Sequence, residues 1–318
     1  MERGGSGGTA AGIACGMGAG ALWGLVFLAP ALVRDFRPID LAVGRYLAFG
    51  LMAALLAAPR WRRLLAGLPP GAGWALAWLA LAGNLLYYVL LASAVQLGGI
   101  AITSLVIGFL PVAVTIIGSR ARGAVPLRRL AASLLLCGAG ALCIGWQAVF
   151  GVRTEPALFQ LAGLGCAIGA LLSWTAFAVG NRHWLDRLPQ MEAQDWNLLV
   201  GLMTGVQALL LLPVALWMGM GDHAPDAWAR FASVSVGVAL LASILGNGLW
   251  NRMSRLLPLT LVGQMILFET AFALLYGFVW EQRWPTMLES AAFLLVVLSV
   301  VTCIAAHRRP AAEAMTAA

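Results

Sequence analysis

The sequence is poor in charge and contains no lysine at all. Charged residues make up only 10% of its 318 positions, whereas soluble domains carry roughly 25%. Hydrophobic residues make up 61% of the chain, and the mean hydropathy is +0.88. A chain with so few charges cannot keep a folded surface in water, so a soluble fold is excluded.

The sequence also lacks the motifs of cofactor, metal and nucleotide binding. The five cysteines all lie in apolar runs, and neither they nor the three histidines show metal-ligand spacing. There is no P-loop and no Ser-His-Asp arrangement. Gly16, Gly18 and Gly20 follow no strand, so they do not form a dinucleotide site, and we interpret them as sites of close helix packing. We therefore expect no cofactor and no metal.

What the chain has instead is a series of long apolar runs. About 20 helical residues cross a hydrocarbon core of about 30 Å. The polar N-terminal stretch leads into a helix without a cleavage site, so no cleaved signal peptide is expected. The pattern predicts an all-α polytopic membrane protein with ten transmembrane helices, at residues 11–33, 39–58, 72–95, 98–118, 126–148, 158–182, 193–217, 230–255, 258–280 and 286–306.

The arginines are spread unevenly over the two sides of this arrangement. Of the 20, 14 lie on the side that holds both termini, five lie on the other side, and Arg45 lies inside the second span. The positive-inside rule therefore predicts that both termini are cytoplasmic. The net charge of +7 is a topology signal of this kind, and no nucleic-acid partner is expected.

The two halves of the chain repeat each other weakly but in order. Matched pairs lie 151 to 163 residues apart: Trp23 with Trp174, Pro38 with Pro189, and Gly83 of GNLLYY with Gly246 of GNGLWN. We predict two five-helix units, at residues 1–150 and 151–318. Because five is odd, the second unit is inverted relative to the first, an architecture in which the site lies in a central cavity between the halves.

Two stretches of the sequence carry a resemblance to a known family: GALWGLVFLAPALVRDFRPIDLAVGRYLAFGLMAALLA and ILFETAFALLYGFVWEQRWP. Both resemble EamA-type members of the drug/metabolite transporter superfamily. Within this superfamily, the narrower resemblance is to the bacterial aromatic amino-acid exporters. The resemblance covers essentially the whole chain. It implies ten helices, cytoplasmic termini, a central cavity, residence in the bacterial inner membrane and export of small metabolites. Thr270 stands where many relatives have proline after the glutamate, which leaves the helix distortion of the family open at this point.

Polar and aromatic side chains within the spans are the candidate substrate-binding residues. Two matched faces have i, i+3, i+4 spacing, and two matched tryptophans lie in mid-span. The faces could line the cavity or fasten helices to one another. The tryptophans could form an aromatic wall or fill the core. The candidates are Trp23, Asn84, Tyr87, Tyr88, Trp174, Asn247, Trp250 and Asn251.

Two charged residues inside spans complete the candidate set. Glu269 lies about 16 Å into the ninth span at 1.5 Å per residue, so it is either a proton-coupling group or a neutral hydrogen-bond donor. If Phe268 matches Phe109, the other half has Leu110 in its place. For Arg45 we expect snorkelling toward the outer face, or a structural or gating ion pair with Asp40 or Asp35, more than capture of a substrate carboxylate.

These observations predict a secondary transporter or facilitator, and not an enzyme. It would export small amino-acid-like metabolites, including aromatic or neutral amino acids, by alternating access. The partners would be this substrate and the lipid bilayer, with protons as the coupling ion if an acidic group titrates in the cycle. Three alternatives remain: an intramembrane enzyme with Glu269 as base and Arg45 for phosphate, a receptor or assembly subunit, and an exporter of another metabolite or drug.

Overall fold

A computed structural model describes residues 6–113, 127–150, 157–188, 190–256 and 259–316. All regular structure in these ranges is helical, and no strand occurs in them. In the first half the α-helices are α1 (Ser6–Leu32), α2 (Pro38–Ala57), α3 (Trp61–Ala66), α4 (Ala72–Ala80), α5 (Leu86–Gly98), α6 (Ile100–Ile107) and α7 (Leu127–Phe150). In the second half they are α8 (Ala157–Arg187), α9 (Ala193–Trp217), α10 (Pro225–Val238), α11 (Asn247–Leu256), α12 (Leu259–Glu281) and α13 (Met287–Thr316).

Two of the predicted spans contain a π-helical segment. Between α4 and α5 the backbone is π-helical over Leu81–Leu85, and between α10 and α11 it is π-helical over Ala239–Gly246. The chain runs through each segment without a break. Each span is therefore one long helix with a wider turn in its middle.

The predicted all-helical membrane fold is confirmed. Within the described ranges, six helical segments are long and apolar enough to cross a membrane: Ala10–Leu32, Pro38–Ala66, Ala72–Gly98, Leu158–Leu185, Gln194–Trp217 and Pro225–Trp250. Each of the ten predicted spans contains a helix, although the end of span 98–118 lies outside the described residues. The ten-span topology itself stays a prediction.

Local sequence explains where α2 begins. Pro38 is the first residue of the helix, a position at which its missing N–H costs nothing. The backbone N–H of Arg37 donates to the carboxylate of Asp40 at 3.0 Å, and the side chain of Arg37 binds the same carboxylate. This cap anchors the N-terminal end of α2.

The helices pack most extensively in four pairs, α1 with α12, α2 with α9, α5 with α8 and α7 with α13. Glycines allow the closest approaches. A methyl group on Gly50 of α2 would lie 2.5 Å from Cα of Gly205 on α9, and one on Gly163 of α8 would lie 2.7 Å from the backbone nitrogen of Gly98. Small residues at helix crossings are the usual means by which membrane helices come together.

Glycines also bring α1 against α12. A methyl group on Gly16 would meet the side chain of Met265, and one on Gly20 would lie 2.8 Å from the backbone nitrogen of Glu269. The interpretation of Gly16 and Gly20 as packing sites is thus confirmed. The α12 helix runs unbroken through Glu269 and Thr270, so the distortion that the family has at this point is absent here.

Candidate functional site

The two π-helical segments lie at the matched glycine–asparagine pairs of the two halves. Their backbone carbonyls accept hydrogen bonds from side chains of other helices. The carbonyl of Asn84 accepts one from the hydroxyl of Tyr46 at 3.0 Å, and that of Ala242 accepts one from Nε1 of Trp23 at 3.0 Å. Short π-helical turns inside α-helices are frequent at functional sites. The repeated sequence pair thus builds a repeated backbone feature.

An aromatic ring lies over the glycine of each pair. A methyl group on Gly83 would lie 2.3 Å from the ring of Phe177, and one on Gly246 would lie 2.8 Å from Nε1 of Trp23. Both glycines are therefore needed for the rings to approach the backbone so closely. Trp23 of α1 and Phe177 of α8 thus each cover the glycine of a π-helical region in the opposite half.

The predicted tryptophans belong to two separate aromatic pairs. The ring centroids of Trp23 and Trp250 are 4.9 Å apart, and those of Trp174 and Phe177 are 5.8 Å apart. All three tryptophans are partly buried. Trp23 and Trp174 pack against the same apolar core, so neither is an interfacial anchor. The structure brings Trp23 and Trp250 into contact and places Trp174 in a separate pair with Phe177.

The two matched asparagines both reach α9. Nδ2 of Asn84 donates to Oγ1 of Thr204 at 2.8 Å, and Nδ2 of Asn247 approaches Oδ1 of Asn197 at 3.4 Å. Asn197 and Thr204 are seven residues apart and therefore lie on one face of α9. Both contacts link a helix to α9, as expected if the asparagines fasten helices rather than line a cavity. The shorter distance makes this interpretation stronger for Asn84 than for Asn247. The side chain of Asn251 lies outside the described residues.

Arg45 points into the protein and is 8% exposed. Its Nη2 donates to Oγ of Ser243, in the π-helical segment of the other half, at 3.3 Å. Its guanidinium carbon lies 4.4 Å from the ring centroid of Tyr88 and 5.1 Å from that of Tyr46, within the range of cation–π attraction. No described group accepts a hydrogen bond from its Nε or Nη1.

The predicted partners of Arg45 are engaged elsewhere. Asp40 is bound by Arg37, and Asp35 is bound by Arg230. The prediction that Arg45 snorkels outward or pairs with one of these aspartates is therefore wrong. The physical reason is that each aspartate already binds a more exposed arginine, so neither carboxylate is available to the buried Arg45.

Glu269 is partly buried at the middle of α12. Its carboxyl group lies close enough to Arg45 and to Tyr87 to interact with both electrostatically. Among the described residues it makes no hydrogen bond and no ion pair. The backbone at this point is held in place by the contact with Gly20 of α1.

The structure thus brings residues of four elements into one group, which we call the central polar cluster. It joins the first and second halves of the chain at the level of the two π-helical segments. Tyr46 and Ser243 were not predicted, although each is a polar residue inside an apolar span, the same signal that identified Asn84. The members of the cluster are Arg45, Tyr46, Tyr87, Tyr88, Ser243 and Glu269.

A separate cleft of about 280 Å³ lies where α3 meets the end of α8 and the start of α9. Arg63 and Arg187 line it together with Asp195, which is 2.9 Å from Arg60. The residues of the central polar cluster are not among those that line this cleft. Within the described part of the chain, no three His, Cys, Asp or Glu side chains are grouped so as to hold a metal ion.

A helical membrane protein with charged and aromatic side chains gathered between its helices has the construction of a transporter, because polar groups at that depth line pathways or bind partners. Comparison with known proteins agrees. The profile of the EamA-like transporter family matches residues 161–305. "Inner membrane protein YtfF" of Escherichia coli (strain K12) is 31% identical, over 94% of this chain and 96% of YtfF. The chain belongs to the EamA-like transporter family, as the resemblance implied.

A solved crystal structure has the same fold. It is 19% identical to this chain, the alignment covers 94% of this chain and 98% of the other, and the TM-score is 0.62. At that identity the likeness concerns the fold alone. Family and fold together identify a membrane transporter.

Proposed function

We propose that this chain exports small amino-acid-like metabolites across the bacterial inner membrane by alternating access. The observation that carries the proposal is the central polar cluster, which places a cation, a carboxyl group and aromatic rings between the two halves. Such a site matches a small molecule with both charged and apolar parts. Residence in the inner membrane is supported by the relation to YtfF.

An inverted repeat of ten helices, with units 1–150 and 151–318, is part of this proposal. Helix packing supports it. In the repeat α1 matches α8, and the helices around Gly83 match those around Gly246. The α1 helix packs against α11 and α12, and α8 packs against the matching helices α5 and α6. Two such units can rock against each other around a site at their boundary.

The aromatic rings would form the apolar part of the substrate site. Trp23 and Trp250 form one wall, and Tyr87 and Tyr88 border Arg45. Flat rings suit an aromatic or aliphatic side chain and attract an ammonium group. The cleft near Arg63 and Arg187 lies on the side that the arginine count assigns to the cytoplasm, where an exported substrate enters.

Substrate flux through the purified protein tests the proposal. Proteoliposomes containing only this chain are loaded with labelled amino acids or nucleobases, and exchange is followed with and without unlabelled competitors. We expect exchange of a subset of amino acids without any chemical change of the substrate. Absence of flux for all of them, or formation of a product, would contradict the proposal.

Proton coupling through Glu269 is tested by the variant Glu269→Gln. A neutral amide cannot exchange protons, so we expect the pH dependence of flux to be lost while the protein remains folded in the membrane. Glu192→Gln, at an exposed position before α9, is the matched control and should keep the pH profile of the wild type. A pH dependence that survives in Glu269→Gln would contradict proton coupling through Glu269.

A further inference from the structure

The central polar cluster contains a cation whose hydrogen-bonding capacity is largely unused. A guanidinium group offers five N–H donors in a planar fork. The hydroxyl of Ser243 accepts a hydrogen bond from Nη2 of Arg45 at 3.3 Å, and Nε and Nη1 have no acceptor among the described groups. Leaving a buried charged donor unsatisfied is unfavourable. A group that binds there in another state of the protein would therefore be favoured.

Three described carboxylates are held by other arginines. Asp35 and Asp40 are bound by Arg230 and Arg37, and Glu289 is held by Arg283 through both of its carboxylate oxygens, at 2.7 and 2.8 Å. Glu269 lies within electrostatic reach of Arg45, but no hydrogen bond among the described residues joins the two. No described carboxylate therefore occupies the N–H donors of Arg45, and an anion from outside the chain can bind them.

The surroundings of Arg45 favour a planar anion beside an apolar group. The ring centroids of Tyr46 and Tyr88 lie 5.1 and 4.4 Å from the guanidinium carbon, so both rings border the cation. A carboxylate accepts two parallel N–H bonds from such a fork, which adds directionality to the attraction of opposite charges. The hydroxyl of Ser243 accepts one of the two N–H groups of Nη2. The other N–H of Nη2, together with that of Nε or Nη1, remains for the two oxygens of a carboxylate.

We propose that Arg45 binds the carboxylate of the transported substrate, so that the substrates of this chain are amino acids or other small carboxylic acids rather than amines or drugs. This inference rests on the proposed function and specifies its substrate class. The free donors of Arg45 are buried in this structure, and in the proposed cycle they become accessible when the halves separate. The carboxylate then sits on Arg45, and the side chain faces the aromatic wall of Trp23 and Trp250.

Matched ligands that differ only at the carboxylate test the inference. Binding of L-phenylalanine, L-phenylalaninamide and phenethylamine to the purified full-length protein is measured by titration calorimetry, and the same three compounds compete in the flux assay. In the wild type we expect the acid to bind at least about tenfold more tightly than the amide or the amine, a ratio that corresponds to about 1.4 kcal/mol at 25 °C.

Variants at Arg45 then assign the preference to this side chain. Arg45→Gln should abolish the difference between acid and amide, and Arg45→Lys should keep part of it, because an ammonium retains the charge without the fork. Arg252→Gln removes a charge from an exposed position of α11 and should leave the preference unchanged. Should Arg45→Gln fail to fold, Arg45→Lys tests the same assignment, and an acid preference that is undiminished in Arg45→Lys would overturn the inference.

The outcomes separate this inference from the proposed function. Flux of amino acids with equal affinity for acid and amide upholds the transporter and overturns the role of Arg45. Selective binding of the acid that is lost in Arg45→Gln, without any flux, upholds the carboxylate site and contradicts the transporter. A wild type that binds none of the three compounds overturns the inference.

Discussion

The two matched glycine–asparagine regions share their backbone features, whereas the charged residues near them occur in one half only. Each has a π-helical segment, an aromatic ring over its glycine and an asparagine directed to α9. The charged residues have no such match. At the separation of 151 residues, Arg45 corresponds to Trp196, which is 1% exposed. At 159 residues, Glu269 corresponds to Leu110, which is 3% exposed.

In the proposed repeat, the matched backbone features occur in both halves and the two charged residues occur once. A polar residue in a membrane interior is costly and persists where it has a partner or a function. Arg45 comes from the first half of the chain and Glu269 from the second, and they meet in one cluster. The proposed site would therefore lack two-fold symmetry, as a small asymmetric substrate requires.

The largest expected effect concerns the glycines, where the two halves should behave alike. Gly83→Ala and Gly246→Ala place a methyl group 2.3 and 2.8 Å from an aromatic ring. We expect each to lower the free energy of unfolding by about 1–3 kcal/mol, which is typical of overpacking. The change at Gly83 should be the larger, because the overlap there involves several atoms of the Phe177 ring. Reversible unfolding in mixed detergent micelles measures both values.

Gly248→Ala is the control for this pair. It lies two residues beyond Gly246, and a methyl group there has open space around it. We expect no loss of stability and a gain of up to about 1 kcal/mol from helix propensity. Equal losses at Gly246 and Gly248 would contradict the ring contact.

Substitutions of the two matched asparagines should have different effects in the two halves. Asn84→Ala removes a hydrogen bond of 2.8 Å to Thr204, whereas Asn247→Ala removes a contact of 3.4 Å to Asn197. We expect a loss of about 0.6–1.7 kcal/mol for Asn84→Ala, in the range of hydrogen bonds between membrane helices. For Asn247→Ala we expect a smaller loss of stability together with a change in the substrate profile of flux.

A double-mutant cycle of Asn84→Ala with Thr204→Val isolates the bond in the first half. A coupling energy near zero would show that Asn84 does not fasten α9. The corresponding cycle of Asn247→Ala with Asn197→Ala should give the smaller coupling of the two. A reversal of this order would remove the distinction between the two asparagines.

The smallest effect concerns an ion pair that joins the halves at the surface. Arg230 of α10 binds Asp35, and their side chains are 49% and 56% exposed. We expect Arg230→Gln to cost about 0.2–1 kcal/mol, as exposed pairs do, and the difference from the wild type should shrink as salt is added. A larger loss that does not depend on salt would mean that this contact sets the docking of the halves.

Several features of this protein follow from the sequence alone. Composition and the length of the apolar runs determine that it is a helical membrane protein, because unpaired backbone groups and charges are costly in hydrocarbon. The matched faces at Asn84 and Asn247 identified the region of the site, since both contain polar residues where apolar ones would suffice. The glutamate in ILFETAF was identified in the same way.

The tertiary structure decided which of these groups meet. Arg45 was assigned to aspartates near it in the chain, but its hydrogen bond goes to Ser243, 198 residues away. The π-helical segments were not predicted, because their carbonyls are bound by side chains of distant helices, such as Trp23. Local sequence determines that a segment is helical and apolar. The partner of each buried polar group depends on which helix packs against it, and this contact forms only when the whole chain is assembled.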